Sequence, residues 1–333
     1  MIIISTAGSR QRRFLLMVFV AMLFNICALT ILVSGQPVNN YTHRKLLIRD
    51  EGISQLSYID IENPSASWYM PIPTGRDMQL AGNGRVLVGT GNGYEEREIA
   101  TGKKTYELTT FPGTVAARRL RNGNTLLTGV NWQGKKGIVL VEVNADGAVQ
   151  QTIIYPGFDY VRLVRETTAG NFLITANNIL FEGDKNGDIV WKAVIGDAEK
   201  THAWQAVRLA NGNTIVSTGY AKKLEMFSAD GKLMDTITGP PEVNPNFFAG
   251  FQILANGNYI VANWQGHGAK QGASGTQVLE YTPAGKLAWS WKQDATKFSS
   301  LHSVIVLDGL NINFLHIEDG DGKLAPVKNS NYK

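Results

Sequence analysis

Cysteine is almost absent from this chain. Cys27 is the only one among 333 residues. A lone cysteine excludes disulfides within the chain and metal sites built from several thiolates. It lies in an apolar run near the N terminus that we read as a targeting segment, so the folded part also has no thiol nucleophile.

Charge is also scarce. Charged residues make up 18% of the chain and the formal net charge is +4. Residues 1–35 contain three arginines and no lysine or acidic residue, so the rest of the chain carries +4 − 3 = +1. So weak a positive charge argues against a nucleic-acid partner. Hydrophobic residues at 44% exclude a disordered chain.

Several motifs that carry chemistry are missing. The sequence has no P-loop, no dinucleotide fingerprint and no serine nucleophile motif. Its five histidines show no paired spacing such as H-x-H, so no metal site is predicted. Function must therefore be sought in the architecture and in its loops.

The first 35 residues have the features of a targeting segment. Arg10, Arg12 and Arg13 precede an apolar run from Phe14 to Val33, and small residues follow before Gln36. This pattern is typical of a cleaved signal peptide, but the run is also long enough for an N-terminal membrane anchor through residues 14–33. Both alternatives export the rest of the chain, to the periplasm or the extracellular space.

The stretch from Asn246 to Gln293 contains four strand-like runs. FQIL and YIVAN flank Asn256-Gly257, and QVLEY and KLAWSW flank the turn TPAG. An Asn-Gly pair between apolar runs predicts a hairpin with a two-residue turn. Two hairpins within about 45 residues predict one four-stranded blade of a β-propeller.

Glycines in the equivalent turn recur every 39 to 52 residues, at Gly84, Gly123, Gly170, Gly212, Gly257 and Gly309. This spacing predicts an all-β, six-bladed propeller over residues 55–318, after a linker at 36–54 and before a polar tail at 319–333. Half-repeats at Gln55–Ile72 and Leu301–His316 predict a composite blade that closes the ring and removes its free edges. A seventh blade would need another repeat.

Irregular loops are expected to meet on one face of the ring. Loops that enter each blade and loops that join its second and third strands lie opposite the glycine-rich turns, and such loops commonly carry binding residues. The ligand-binding candidates are Arg76, Arg118, Trp132, Gln133, Tyr160, Arg162, Trp204, Phe248, Trp264 and Gln265. The tetrapeptide NWQG occurs twice, at 131–134 and 263–266, and an indole beside an amide suits a sugar or another flat polar ligand. An inherited structural turn is the alternative.

Three histidines are candidates for catalysis. His302 precedes an inner strand, and His202 and His267 are expected on the same face. Each alone also fits a structural role. Together, with Arg76 or Arg118 nearby, they raise the possibility that one of them acts on a ligand.

The repeats resemble the bacterial exported propellers grouped as PQQ-like or arylsulfotransferase-like repeat proteins. The matching stretches are RLRNGNTLLTG, RLANGNTIVST, ILANGNYIVAN, DKNGDIVWKA and PAGKLAWSWK. The quinone enzymes resemble eight-bladed rings, many with a vicinal cysteine pair, so PQQ is not expected here and no cofactor is identified. The sulfotransferase resemblance implies a histidine nucleophile, His302 or else His202 or His267, with Arg118 and Arg162 holding a sulfate.

Three functional hypotheses remain open. The first is an exported propeller that binds a small molecule or carbohydrate at its loop-rich face. The second is a histidine-dependent transferase, lyase or hydrolase acting on that ligand. The third is a scaffold for envelope protein partners. Fold-level resemblance does not choose among them.

Overall fold

The computed structural model describes residues 44–197 and 199–328. They form six four-stranded antiparallel sheets and one two-stranded hairpin, which confirms the predicted six-bladed, all-β propeller. The predicted signal peptide or anchor, residues 1–35, lies outside the described residues. Within the described ranges, no helix has the length and apolar character needed to span a bilayer.

Blade 1 begins the described chain, and blades 2 to 6 follow as runs of four consecutive strands. The strands of blades 1 to 3 are β1 (Lys45–Asp50), β2 (Gln55–Asp60), β3 (Trp68–Pro71), β4 (Met78–Gly82), β5 (Arg85–Thr90), β6 (Gly93–Glu98), β7 (Lys104–Leu108), β8 (Ala116–Arg119), β9 (Thr125–Val130), β10 (Ile138–Val143) and β11 (Val149–Tyr155). The strands of blades 4 to 6 are β12 (Val164–Glu166), β13 (Phe172–Ala176), β14 (Ile179–Gly183), β15 (Ile189–Val194), β16 (Ala206–Arg208), β17 (Thr214–Ser217), β18 (Lys223–Phe227), β19 (Leu233–Thr238), β20 (Phe247–Ile253), β21 (Tyr259–Trp264), β22 (Val278–Tyr281) and β23 (Leu287–Trp291). Two 3₁₀ turns lie at Pro64–Ala66 and Pro241–Val243.

Blade 1 is composite, but its strands divide differently from the prediction. Its innermost strand is β24 (Leu301–Val306), which pairs with β1 so that Leu47 lies opposite Ile305. The second strand thus comes from residues 45–50, which were predicted as linker, and residues 311–316 are not part of the blade. The strand escaped prediction because charged residues stand at both its ends, although Leu46, Leu47 and Ile48 are fully buried.

The end of the described chain is a hairpin that lies against the inner strands. It consists of β25 (His316–Glu318) and β26 (Leu324–Pro326), so part of the predicted polar tail is ordered strand. Its backbone accepts hydrogen bonds from Gln79 of blade 2, Arg121 after β8 of blade 3 and Ala210 after β16 of blade 5. A further β-bridge joins Ile253 of blade 6 to Lys323. Contacts with four blades place the hairpin across the central channel.

A buried ion cluster fixes the hairpin in that position. Glu318 lies 2.6 Å from Arg118 and 3.1 Å from Arg165, and Asp77 lies 2.7 Å from Arg165 and 3.4 Å from Arg118. All four side chains are almost fully buried. Burial, the largest single influence, raises the pKa of Glu318, but the two guanidinium groups together bring that pKa below its usual value. The cluster balances two positive with two negative charges.

The turns between first and second strands are longer than predicted. Only blade 2 has the two-residue Asn-Gly turn, with Asn83 and Gly84 both at positive φ. In blade 6, Gly257 (φ 85°) closes a four-residue turn by donating to the Leu254 carbonyl. The side chain of Asn256 accepts from the Asn258 amide, which explains the NGN pattern: the first Asn satisfies the backbone of the second.

Candidate functional site

A cavity of about 360 Å³ opens at the mouth of the ring. It is formed by residues that enter the blades and by loops that join second and third strands, as predicted for the loop-rich face. Its size lies in the range of small-molecule sites. The charged and aromatic side chains of the lining include Arg49, Asp50, Glu51, Arg76, Arg162, Trp204, Tyr220, Phe247, Trp264, His267 and His302.

The floor of the cavity is held by Arg49, which β1 supplies. Its guanidinium donates to the carbonyls of Asp77 and Gly89, both at 2.8 Å, and of Pro73 at 3.2 Å. Gly89 is needed here because a Cβ at that position would lie 2.2 Å from the Arg76 carbonyl oxygen. Burial lowers the pKa of Arg49 to about 10, an effect that Asp77 and Glu95 partly offset.

One side of the cavity is aromatic. Phe247 packs edge-on against Trp204 at 5.6 Å, Trp264 at 5.3 Å and Tyr220 at 4.7 Å between ring centroids. Trp204 precedes β16 and Tyr220 lies between β17 and β18. Phe247 begins β20 and Trp264 ends β21, so four separate segments build the wall. Such a surface suits a flat apolar group on a ligand.

Arg76 and Arg162 face the same indole ring. Their guanidinium carbons lie 5.6 and 4.9 Å from the Trp204 centroid. Burial is the main reason that the pKa of Arg162 falls to about 10, and the charge of Arg76 lowers it further. Among residues 44–197 and 199–328, neither arginine has a carboxylate within ion-pair distance, and the buried Arg162 Nε has no hydrogen-bond partner.

His302 lies in β24 at the inner wall. The side chain is 2% exposed, lines the cavity, and has no hydrogen-bond partner for either ring nitrogen in the described part of the chain. Burial, followed by the charges of Arg49, Arg76 and Arg162, holds its pKa well below the usual value. His302 is therefore a neutral imidazole at pH 7, with one donor and one acceptor.

Glu51 joins two sides of the mouth and was not predicted. The Trp264 Nε1 donates to its Oε2 at 2.6 Å, and the His267 Nδ1 lies 2.9 Å from its Oε1. The carboxylate thus orients both an indole and an exposed imidazole from the segment after β1. The sequence offered little signal for it, because Glu51 lies in the range predicted as linker.

Six of the predicted residues meet at this cavity. They are Arg76, Arg162, Trp204, Trp264, His267 and His302. The others do not line it: Arg118 lies in the buried ion cluster, Phe248 in the core of blades 5 and 6, Tyr160 under Arg162, and His202 beside Tyr220. Arg118 is thus absent from the mouth cavity where it was expected, and its charge is paired with Glu318 and Asp77.

The two NWQG copies differ in structure. Trp132 donates to the Pro112 carbonyl at 2.7 Å and packs on Phe111, while Gln133 is exposed. In the second copy Trp264 lines the cavity, and the buried Gln265 donates to the Asn244 carbonyl at 3.1 Å. Neither glutamine lines the cavity, so the prediction of a repeated indole-plus-amide site is corrected.

Metal ligands do not cluster at the cavity. Within the described ranges, no group of three His, Cys, Asp or Glu side chains is arranged to hold a metal ion. The side chains that line the cavity carry guanidinium groups, carboxylates, aromatic rings and imidazoles.

Comparison with known proteins identifies the fold. No protein-family model and no curated protein matches the sequence. The structure is similar to that of a protein of unknown function from Bacteroides caccae, with 20% identity and a TM-score of 0.65 over 79% of this chain and 98% of that one. A streptogramin B lyase is 13% identical, with a TM-score of 0.51 over 76% of this chain and 82% of that one. The calcium-binding protein regucalcin from Agrobacterium tumefaciens is 15% identical, with a TM-score of 0.52 over 77% and 92%. These likenesses establish the β-propeller fold alone.

The unpartnered His302 predicts a pH-dependent stability. The folded-state pKa lies below the unfolded value near 6.5, so acid favours the unfolded chain. As the pH falls below about 6.5, this residue alone should remove up to about 1.4 kcal/mol of unfolding free energy per pH unit. Urea unfolding at pH 7.5, 6.5 and 5.5 should show a shallower decline for His302→Gln.

Gln133→Ala is the control for that measurement. It changes an exposed side chain that does not titrate and should leave the pH slope of the wild type unchanged. Parallel slopes for wild type and His302→Gln would contradict the neutral, desolvated state assigned to His302.

Proposed function

We propose that this chain is an exported propeller that binds a small molecule or carbohydrate in the mouth cavity. The main support is the combination within one cavity of an aromatic wall, two arginines without carboxylate partners and a buried imidazole without a hydrogen-bond partner. Buried polar groups in folded proteins are nearly always satisfied. A bound ligand would satisfy these groups.

The composition of the lining supports the same proposal. Aromatic rings and charged groups line one cavity, so a ligand can contact both an apolar surface and a polar group at the same time. Large pockets with few convergent polar groups are the usual form of a small-molecule site. A protein scaffold would not require an open cavity lined by these groups.

The proposal is tested by ligand-observed NMR with a panel of water-soluble aromatic compounds and short oligosaccharides. We expect at least one compound to bind with a Kd of about 1 mM or tighter, and the double variant Trp264→Ala, His267→Ala to weaken it by about tenfold or more. Trp191→Ala is the matched control. Its indole lies on β15 and donates to the Ala229 carbonyl, away from the cavity.

Two outcomes would count against the proposal. If Trp191→Ala weakened ligand binding as much as the double variant Trp264→Ala, His267→Ala, the loss of affinity would reflect general destabilisation of the fold. Absence of any binding compound, together with capture of an envelope protein that the double variant retains, would favour the scaffold hypothesis instead.

A second candidate function is histidine-dependent transfer of the arylsulfotransferase-like kind, favoured by His302. Its imidazole is neutral, desolvated and close to Arg49, Arg76 and Arg162. In such a reaction a ring nitrogen takes the sulfuryl group from an aryl sulfate, the phenolate leaves, and a phenol acceptor then receives the group. With 4-nitrophenyl sulfate and phenol, His302→Asn should abolish release of 4-nitrophenolate and change affinity by no more than about threefold. Equal turnover in both proteins would refute this role.

A further inference from the structure

The charged side chains that line the cavity differ in how many hydrogen-bond and ion-pair partners they have. Arg49 donates to three backbone carbonyls, and Asp50 accepts from four backbone amides. Glu51 is engaged by Trp264 and His267. Arg76 and Arg162 are the remaining ions of the lining. Arg76 donates to the Val161 carbonyl at 3.4 Å and is hydrogen-bonded to the Tyr160 side chain, but no carboxylate of the described residues lies within ion-pair distance of it.

The charges of the two arginines interact, because the charge of Arg76, in addition to burial, lowers the pKa of Arg162. Both lie on the Trp204 indole, and each is half-buried. Two like charges in partly desolvated surroundings repel each other, and an anion between them removes that repulsion. Counting the five ions of the lining named above, three arginines face two carboxylates, which leaves one positive charge.

From this arrangement we infer that the ligand is a small organic anion whose charged group lies between Arg76 and Arg162 and whose flat apolar body packs on Trp204 and Phe247. The inference rests on the proposed function and gives its ligand a chemical class. Carboxylates and sulfonates share the required chemistry, because both accept paired N–H donors from guanidinium groups. His302 supplies one further donor in its neutral form.

The experiment compares three probes with the same ring system: 2-naphthoate, naphthalene-2-sulfonate and neutral 2-naphthamide. Isothermal titration of the full chain at low salt should give at least about tenfold tighter binding for one or both anions than for the amide. A preference for one anion then identifies which acidic group the natural ligand carries. Equal affinity for all three probes would overturn the inference while leaving the proposed cavity intact.

Variants assign the preference to the two arginines. Arg76→Met and Arg162→Met should each lower anion affinity by about tenfold and leave amide affinity within about twofold. Lys270→Met removes one positive charge from an exposed position on the nearby loop and should change neither affinity by more than about twofold. Equal losses of anion affinity in all three variants would show that the net charge of the protein, and not contact with Arg76 and Arg162, determines anion binding. That result would overturn the inference.

Arg162→Lys separates folding from recognition. Lysine keeps the charge but loses the planar fork, so this variant should retain the fold and bind the anions with intermediate affinity. Thermal unfolding of every variant identifies any that fails to fold. Absence of binding for all three probes by a folded wild type would overturn this inference. The proposed function would fail only if the aromatic compounds and oligosaccharides of the NMR panel also showed no binding.

Discussion

Replacing Glu318 by Leu should destabilise the propeller by ~3–5 kcal/mol, because it leaves two buried arginines with one carboxylate. Arg118 and Arg165 would then share Asp77, and one positive charge would remain uncompensated in an interior position. The hairpin would also lose its charged contact with blades 3 and 4. Urea unfolding at pH 7 gives the free energy of unfolding of variant and wild type.

A double variant distinguishes lost charge balance from lost packing. Glu318→Leu with Arg165→Met removes one charge of each sign and leaves the Arg118–Asp77 pair. We expect the double variant to be more stable than Glu318→Leu alone. If the single variant lost less than about 1 kcal/mol, the cluster would contribute little and the hairpin would be held mainly by its backbone contacts.

Replacing Asp50 by Ala should have a similar effect at the closure of the ring. Its carboxylate accepts from the amides of Ser299 at 2.6 Å and Ser300 at 3.0 Å, and from Gly52 and Ile53 in its own turn. The side chain is 1% exposed, so its loss leaves buried donors unsatisfied. We expect a loss of ~3–5 kcal/mol in unfolding free energy, since hydrogen bonds to a charged group contribute more than neutral ones.

Asp184→Ala is the matched control for this experiment. Asp184 also accepts from two backbone amides, those of Asn186 and Asp188, but on an exposed outer turn. Its replacement should cost far less stability than that of Asp50. Equal losses of unfolding free energy would show that the hydrogen bonds within the turn of each aspartate, and not the bonds from Asp50 to Ser299 and Ser300, determine the effect on stability.

The blades were predictable because each repeats the same local chemistry. The NGN turn requires a glycine at positive φ, and the strands on either side are apolar enough to be recognised without tertiary information. The connectivity of the strands alone predicted which face of the ring carries the cavity. Six of the thirteen predicted residues line that cavity.

Other features depended on contacts between distant segments. Trp132 and Trp264 have the same neighbours in sequence, but their indoles donate to different partners, Pro112 and Glu51. Arg118 was expected at the mouth because it was assigned to a loop that enters a blade. It lies within β8, and only the position of Glu318 shows that its charge is already paired. Strand β1 is short and carries charges at its ends, so its burial on both faces could not be inferred from alternation.

The hairpin β25–β26 also bears on which ligands the proposed site could take. It contacts blades 2, 3, 5 and 6 on the face of the glycine-rich turns, whereas the cavity opens on the opposite face. Among the described residues the hairpin therefore covers the end of the channel remote from the cavity. A carbohydrate chain bound as proposed would present an end or a protruding side group to the arginines, since threading through the ring would require displacement of the hairpin.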